Sequence, residues 1–334
     1  MGDLKRYILR RLISFLPTIL GIILLTFIIS HIIPADPVRV WAGGYKAKPE
    51  VIEEIRKKYH LDKPLHEQLV LYLRDVFSGN WGTSPMTKRS VLADLAEYFP
   101  ATLELAIISA ILIAFMGIPL GLVAALKKDN VIDNVIRVLA LMGTSAPAFW
   151  LAIILQWVFY YHLGLLPATG RGIPPSTQYT GMYLLDSLLN GDLGLFIKNL
   201  KYILMPSITL AFTGMGILAR VVRNTTLDIL SSDFIDFAKA RGLKGLQLYK
   251  HILKNVLIPA ITVLSLEIGY ILSGVIVIET VFAWPGIGLY AYNAISSLDY
   301  PAIMGVTLLT GFVFVLINFI TDIAYAAIDP RVRL

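Results

Sequence analysis

No cysteine occurs among the 334 residues, and only 16% of them are charged. Disulfides and thiolate metal sites are therefore excluded. The five histidines, His31, His60, His66, His162 and His251, are scattered without metal-ligand spacing, and no HExxH pair is present. There is no G-x-x-x-x-G-K-[ST] loop to cradle phosphates and no G-x-S-x-G elbow to present a nucleophile. Enzyme chemistry has no anchor here, so no catalytic residue and no bound cofactor or metal is expected. What the chain has instead is apolar sequence, 56% of its residues, with mean hydropathy +0.70. A soluble core does not need that much, and the class is a polytopic, all-α membrane protein.

A bilayer-spanning helix needs roughly 20 apolar residues. Six runs qualify, about 9–33, 100–126, 134–163, 202–222, 256–281 and 302–328. The first is too long for the core of a cleavable signal, and KRYILRR before it is a basic flank that should stay cytoplasmic. Alternating from there, the inner pieces carry 16 Lys or Arg in about 63 residues and the outer pieces 13 in about 124. Charge follows the positive-inside rule, and both termini are expected in the cytoplasm. The pI near 9.3 is thus topological, and nucleic acid is not expected as a partner.

Three units follow: 1–33 as N-terminus and first span, 34–99 outside the membrane, and 100–334 as a five-helix core. The outer segment carries helical patterns. PEVIEEIRKKYHL puts Ile52, Ile55 and Tyr59 on one stripe, with Pro49 and Glu50 suited to a first turn. Asp62 is placed to cap a second helix with Leu65, Leu69 and Leu73 on one face. The expectation is a small helical cap on the extracytoplasmic side.

The inner loop at about 223–255 is the most informative segment. It reads as a helix ending near Arg241, a turn at Gly242, and a second helix leading into the fifth span, with Pro259 in that span's first turn. A solvated helix pair needs cover for an apolar stripe, here Phe234, Phe237, Leu246 and Leu248. One reading is an amphipathic segment on anionic lipid. The other is a docking element for a soluble motor, with Ala238, Ala240 and Gly242 allowing close approach and charges setting orientation.

In the spans, ionisable groups are costly and usually face a pore or a partner. Glu104, after Pro100 and Thr102, is expected near the start of its helix in a dipole role. Asp322 shares a stripe with Asn318, Tyr325 and Asp329 and reads as a structural set. Glu267 lies mid-span and is the candidate for the translocation path. Glu279 precedes Trp284-Pro285-Gly286, where its carboxylate could satisfy backbone N–H groups of a re-entrant turn. Gly117 and Gly121 form a GxxxG that permits close helix contact, although Pro119 lies between them.

At this point DFIDFAKARGLKG…HILKNVLIPAITVL resembles the cytoplasmic coupling loop of ABC-importer permeases of the dipeptide/oligopeptide family. The likeness continues through ILRRLISFLPTILGIILLTFIISHIIPADP, HLDKPLHEQLVLYLRDVFSGNWGTS and FPATLELA…GIPLGLVAALKKDNVID. It extends to APAFWLAIILQWVFYYHLGLLPATGR, VIETVFAWPGIGLYAYNAI, LDYPAIMGVTLL and YAAIDPRVR. Together these blocks cover nearly the whole chain in order.

The resemblance implies a type I importer fold of six transmembrane helices in the cell membrane, paired with a second homologous permease. Two cytoplasmic ATPases, which hold the ATP and Mg²⁺, would drive it, and an extracytoplasmic binding protein would deliver peptide. Carried over, Asp236, Ala238, Lys239, Ala240, Arg241, Gly242, Leu243 and Lys244 make the ATPase-coupling element. Glu267, Glu279, Trp284 and Pro285 belong to the path or its gate. At Glu267 the family more often has a neutral or amide residue. The interval from Gly242 to Pro259 is about one residue short of the family pattern, which leaves the register of the second short helix open. Similar permeases also carry oligosaccharides. A reading from another class, an ion-coupled secondary transporter, would call for inverted halves and midplane ion ligands. Glu267 is the one clear midplane acid, and no inverted repeat is apparent.

Overall fold

Helix boundaries in this protein follow capping and breaking residues rather than the lengths of apolar runs. The computed structural model describes residues 2–32, 38, 48–58, 60–243 and 245–328. Helix α1 is Gly2–Ile32, α2 Pro49–Lys58 and α3 Leu65–Ser78. Next come α4, Val91–Leu126, and α5, Val131–Ser145. Helix α6, Ala148–Leu155, continues as a π-helical segment, Gln156–His162. Helices α7, Tyr183–Leu189, and α8, Leu193–Leu230, precede the short α9, Asp233–Ala240. Last are α10, Leu246–Leu272, α11, Ile276–Val281, α12, Ile287–Ser296, and α13, Tyr300–Ile328.

Four of these, α4, α8, α10 and α13, are long and apolar enough to cross a membrane. Helices α5 and α6 with its π-helical end qualify together, but as a pair bent by 103°, and α1 contributes the apolar stretch Ile13–Ile28. The third run is thus not a straight helix over 134–163. Pro147 disfavours α conformation for the residue before it, and Ala146 is extended at ψ 132°. The fifth run also stops early, at Leu272 rather than 281. Gly274 has φ +92°, and a methyl built there would meet Gly288 Cα at 3.1 Å, so the backbones of two segments touch.

Other helices begin before their apolar runs. Ser90 accepts a hydrogen bond from the Ala93 N–H and starts α4 at Val91. Asp192 does the same for α8 through the Leu195 N–H. Pro259 lies inside the continuous α10 and not in a first turn, and among the described residues the second helix of the loop is not separate from the span. Asp62 is not the cap of α3: Pro64 occupies that position without a side-chain bond. The buried side of α3 is Leu69, Tyr72, Leu73 and Val76, while Leu65 is exposed. Tyr72 stacks near Phe27 of α1, with centroids 5.7 Å apart. Lys244, Tyr59 and Asp329 lie outside the described residues.

The centre of the bundle is α8. The GxxxG of α4 meets it directly: a methyl on Gly121 would reach the Ala219 carbonyl oxygen at 2.6 Å, and one on Gly117 would reach Leu218 at 2.9 Å. Helix α5 lies antiparallel along the same helix, with Gly143 against the Phe212 carbonyl and Gly216 against that of Ala140. Small residues let backbones approach where dispersion, not water exclusion, drives association.

Candidate functional site

The α9 surface is built on a two-sided short helix. Ile235 and Ala238 are buried, Ile235 in a cluster with Leu230, Leu248, Ile252 and Val256. On the other side Phe234 is 47% and Phe237 63% exposed. Arg241 lies over the Phe237 ring at 5.8 Å, and Lys239 pairs loosely with Asp236 at 3.3 Å. Ala240 and Arg241 are exposed, Leu243 half-buried. Of the small residues expected on the outward face, Ala238 instead packs inward. The helix ends in a Schellman motif: the Leu243 N–H donates to the Ala238 carbonyl at 3.1 Å, and that of Gly242 to Lys239 at 2.9 Å. Gly242 takes φ +84°, with open space around the position its Cβ would occupy.

At the opposite end of the bundle the segment after α11 folds back onto α4. Thr102 Oγ1 donates to Glu279 Oε1 at 2.8 Å, and the Leu289 N–H donates to Oε2 at 2.9 Å. Thr102 also accepts from the Ile287 N–H at 2.8 Å. Trp284, 1% exposed, donates its indole N–H to the Ala101 carbonyl at 3.0 Å. Pro285 is half-buried. The fully buried Glu279 thus serves backbone N–H groups, as expected, but those of the first turn of α12 rather than of the Trp-Pro-Gly turn itself. This brings Glu279, Trp284 and Pro285 together and leaves Glu267 apart from them.

Glu267 is half-buried and makes no hydrogen bond or ion pair among the described residues. Its Oε2 lies over Gly214, where an added methyl would come within 3.3 Å. Because α10 ends at Leu272, this carboxylate sits nearer its helix end than the run 256–281 implies. It remains level with the middle of α8. Exposed Leu266 and Tyr270 flank it.

Two buried ion pairs escaped the sequence reading. Glu104 is not near a helix start; it lies well inside α4 and pairs with Arg171 at 2.8 Å, with both side chains at most 6% exposed. Its other oxygen accepts from the Leu184 N–H at 2.5 Å, and the guanidinium lies 3.9 Å from the Tyr183 ring. Asp133 of α5 takes a two-pronged bond from Arg223 of α8, 2.7 Å on each arm. Separations of 67 and 90 residues leave no local pattern for either pair.

The family described as "Binding-protein-dependent transport system inner membrane component" matches residues 117–334, and its N-terminal companion matches residues 4–106. The chain belongs to this family. It is 44% identical over 316 residues to the "Probable D,D-dipeptide transport system permease protein DdpB" of Escherichia coli (strain K12), covering 93% of each chain. It is 38% identical to the "Dipeptide transport system permease protein DppB" of Alkalihalophilus pseudofirmus, covering 98% of this chain and 99% of that protein. Among solved structures, the inward-facing MetNI methionine ABC transporter matches with TM-score 0.53 at 17% identity, over 71% of this chain and 97% of that one.

The fold is that of a type I ABC importer permease. As a binding-protein-dependent transport component, the protein is a multi-pass membrane subunit and not the catalytic subunit of its system. A self-sufficient ion-coupled carrier is set aside by the same membership.

Proposed function

We propose that this permease forms, with a second homologous permease subunit, the path by which di- and oligopeptides enter the cell. Two cytoplasmic ATPases drive it, one of them seated on α9, and an extracytoplasmic binding protein delivers the peptide. The α9 surface is the observation that carries this reading. Two exposed aromatic rings and an arginine stand on a helix whose other side is held by buried Ile235 and Ala238. Such a helix presents anchor residues to a groove without itself giving way. In this arrangement the α9 end and both termini face the cytoplasm, and residues 34–99 form the outer cap on the core of residues 100–334. ATP and Mg²⁺ are held by the ATPases. Peptide is favoured over oligosaccharide because the curated relatives carry dipeptides by name.

Glu267 lines the path in this reading. A mid-bundle carboxylate without a protein partner among the described residues is expensive against lipid and affordable against water. Glu279, Trp284 and Pro285 hold the outer gate. The test is reconstitution of the four kinds of subunit in vesicles. ATP-dependent uptake of a labelled dipeptide, resisted by peptide competitors and not by oligosaccharides, is expected. Uptake by this chain alone, with mass measurement showing no second permease, would overturn the proposal.

A further inference from the structure

The Asp133–Arg223 pair stands where three segments meet. Asp133 is fully buried and the Arg223 side chain 16% exposed. Besides the two Arg223 bonds, the carboxylate accepts the Asp129 N–H at 3.1 Å. One side chain therefore ties the turn leaving α4, the first turn of α5 and the far end of α8. From Arg223, α8 runs unbroken to Leu230, about 10 Å at 1.5 Å per residue. Only Ser231 and Ser232 then separate it from α9.

Elsewhere α5 and α8 meet through glycine against carbonyl, Gly143 on Phe212 and Gly216 on Ala140, and through one exposed, long hydrogen bond from Arg220 to Thr144 Oγ1 at 3.4 Å. Contacts of that kind set how closely two helices lie but resist sliding along the axis only weakly. A planar fork on a carboxylate fixes direction and register at once. Breaking it strands a buried charge, which opposes separation of the two helices.

We propose that the Asp133–Arg223 pair is the joint that makes α5 travel with α8, so that force received at α9 reaches the bent third span. This inference rests on the reading of α9 as the ATPase seat. Asp133 and Arg223 are positioning residues: they touch neither peptide nor nucleotide. Their contribution is that α5 and α8 move as one body during the cycle.

The assembled importer in lipid vesicles tests it through the number of peptides imported per ATP hydrolysed. Asp133→Asn keeps the shape and one acceptor oxygen and removes the charge. The complex should still assemble and its ATP hydrolysis should still respond to loaded binding protein. Import per ATP should fall by about 5- to 150-fold, the usual span of coupling between sites. The exchanged pair, Asp133→Arg with Arg223→Asp, should recover much of the ratio. Hydrolysis and import falling together at a constant ratio would mean the pair only holds the fold, and would overturn the proposal. If Asp133→Asn does not assemble, Arg223→Lys, which keeps charge and loses the fork, is read the same way. An unchanged ratio, or failure of both to assemble, counts against the joint. Failure of the α9 reading looks different: ATPases would then co-purify whatever is done to Phe234 and Phe237.

Discussion

Gly242 shows how much one residue can decide. Its φ of +84° is open to glycine and strained for a branched side chain by about 1–3 kcal/mol. Gly242→Val should leave the protein in the membrane, because that residue lies in the turn after α9, outside the helices long and apolar enough to cross a bilayer. ATP hydrolysis stimulated by substrate and uptake should fall together, and uptake at the wild-type level would return α9 to the role of a lipid-surface helix. Glu267→Gln should leave assembly intact and change transport rate or the range of peptides accepted, measured by competition uptake. A solved complex with this carboxylate turned to lipid would end its role in the path. Thr102→Val removes both the donor to Glu279 and the acceptor for the Ile287 N–H, stranding buried polar groups at a cost of about 1–3 kcal/mol. Thermal unfolding of the purified complex should show the loss, and an unchanged midpoint would mean that the Trp284 and Tyr290 contacts suffice to hold this segment on α4.

Among elements, α9 buries Ile235 and Ala238 on one side and exposes Phe234 and Phe237 on the other. Replacing Phe234 and Phe237 together by alanine removes the exposed aromatic anchors while leaving Ile235 and Ala238 in place. ATPase association should weaken by roughly 5- to 30-fold, corresponding to about 1–2 kcal/mol. A pull-down with unaltered ATPase recovery would contradict the docking surface. The elements also show where apolar length misleads. Runs 134–163 and 256–281 look alike as sequence, yet one is cut by Ala146–Pro147 and the other by Gly274. Both breakers stand in plain view, but hydropathy averages over them. Helices α4 and α8 err in the other direction: charged residues early in each, Asp94 and Glu97 in one and Lys198 and Lys201 in the other, interrupt the apolar run, and the caps Ser90 and Asp192 mark the true starts.

For the whole molecule, sidedness is the property to measure. The chain contains no cysteine, so a single one introduced at Lys57, exposed on α2, reports one position cleanly. Lys57→Cys should react with an impermeant thiol reagent added from outside the cell. Labelling only after the cytoplasmic side is opened would invert the topology.

The sequence by itself determined the class, the number of apolar runs, the expected sidedness and the family, because hydropathy, charge bias and ordered blocks are local or additive quantities. It also placed the turn at Gly242, since the φ demanded there is a property of one residue and its immediate neighbours. The inward face of Ala238, the Glu104–Arg171 and Asp133–Arg223 pairs, and the seating of Glu279 on α12 were decided only by tertiary structure. The ion pairs depend on which groups far apart in the chain are brought within about 3 Å, where such a pair forms, and the facing of Ala238 and Glu279 on which elements α9 and α12 fold against. Linear spacing does not encode that distance; the close crossings of α4 and α5 on α8 do.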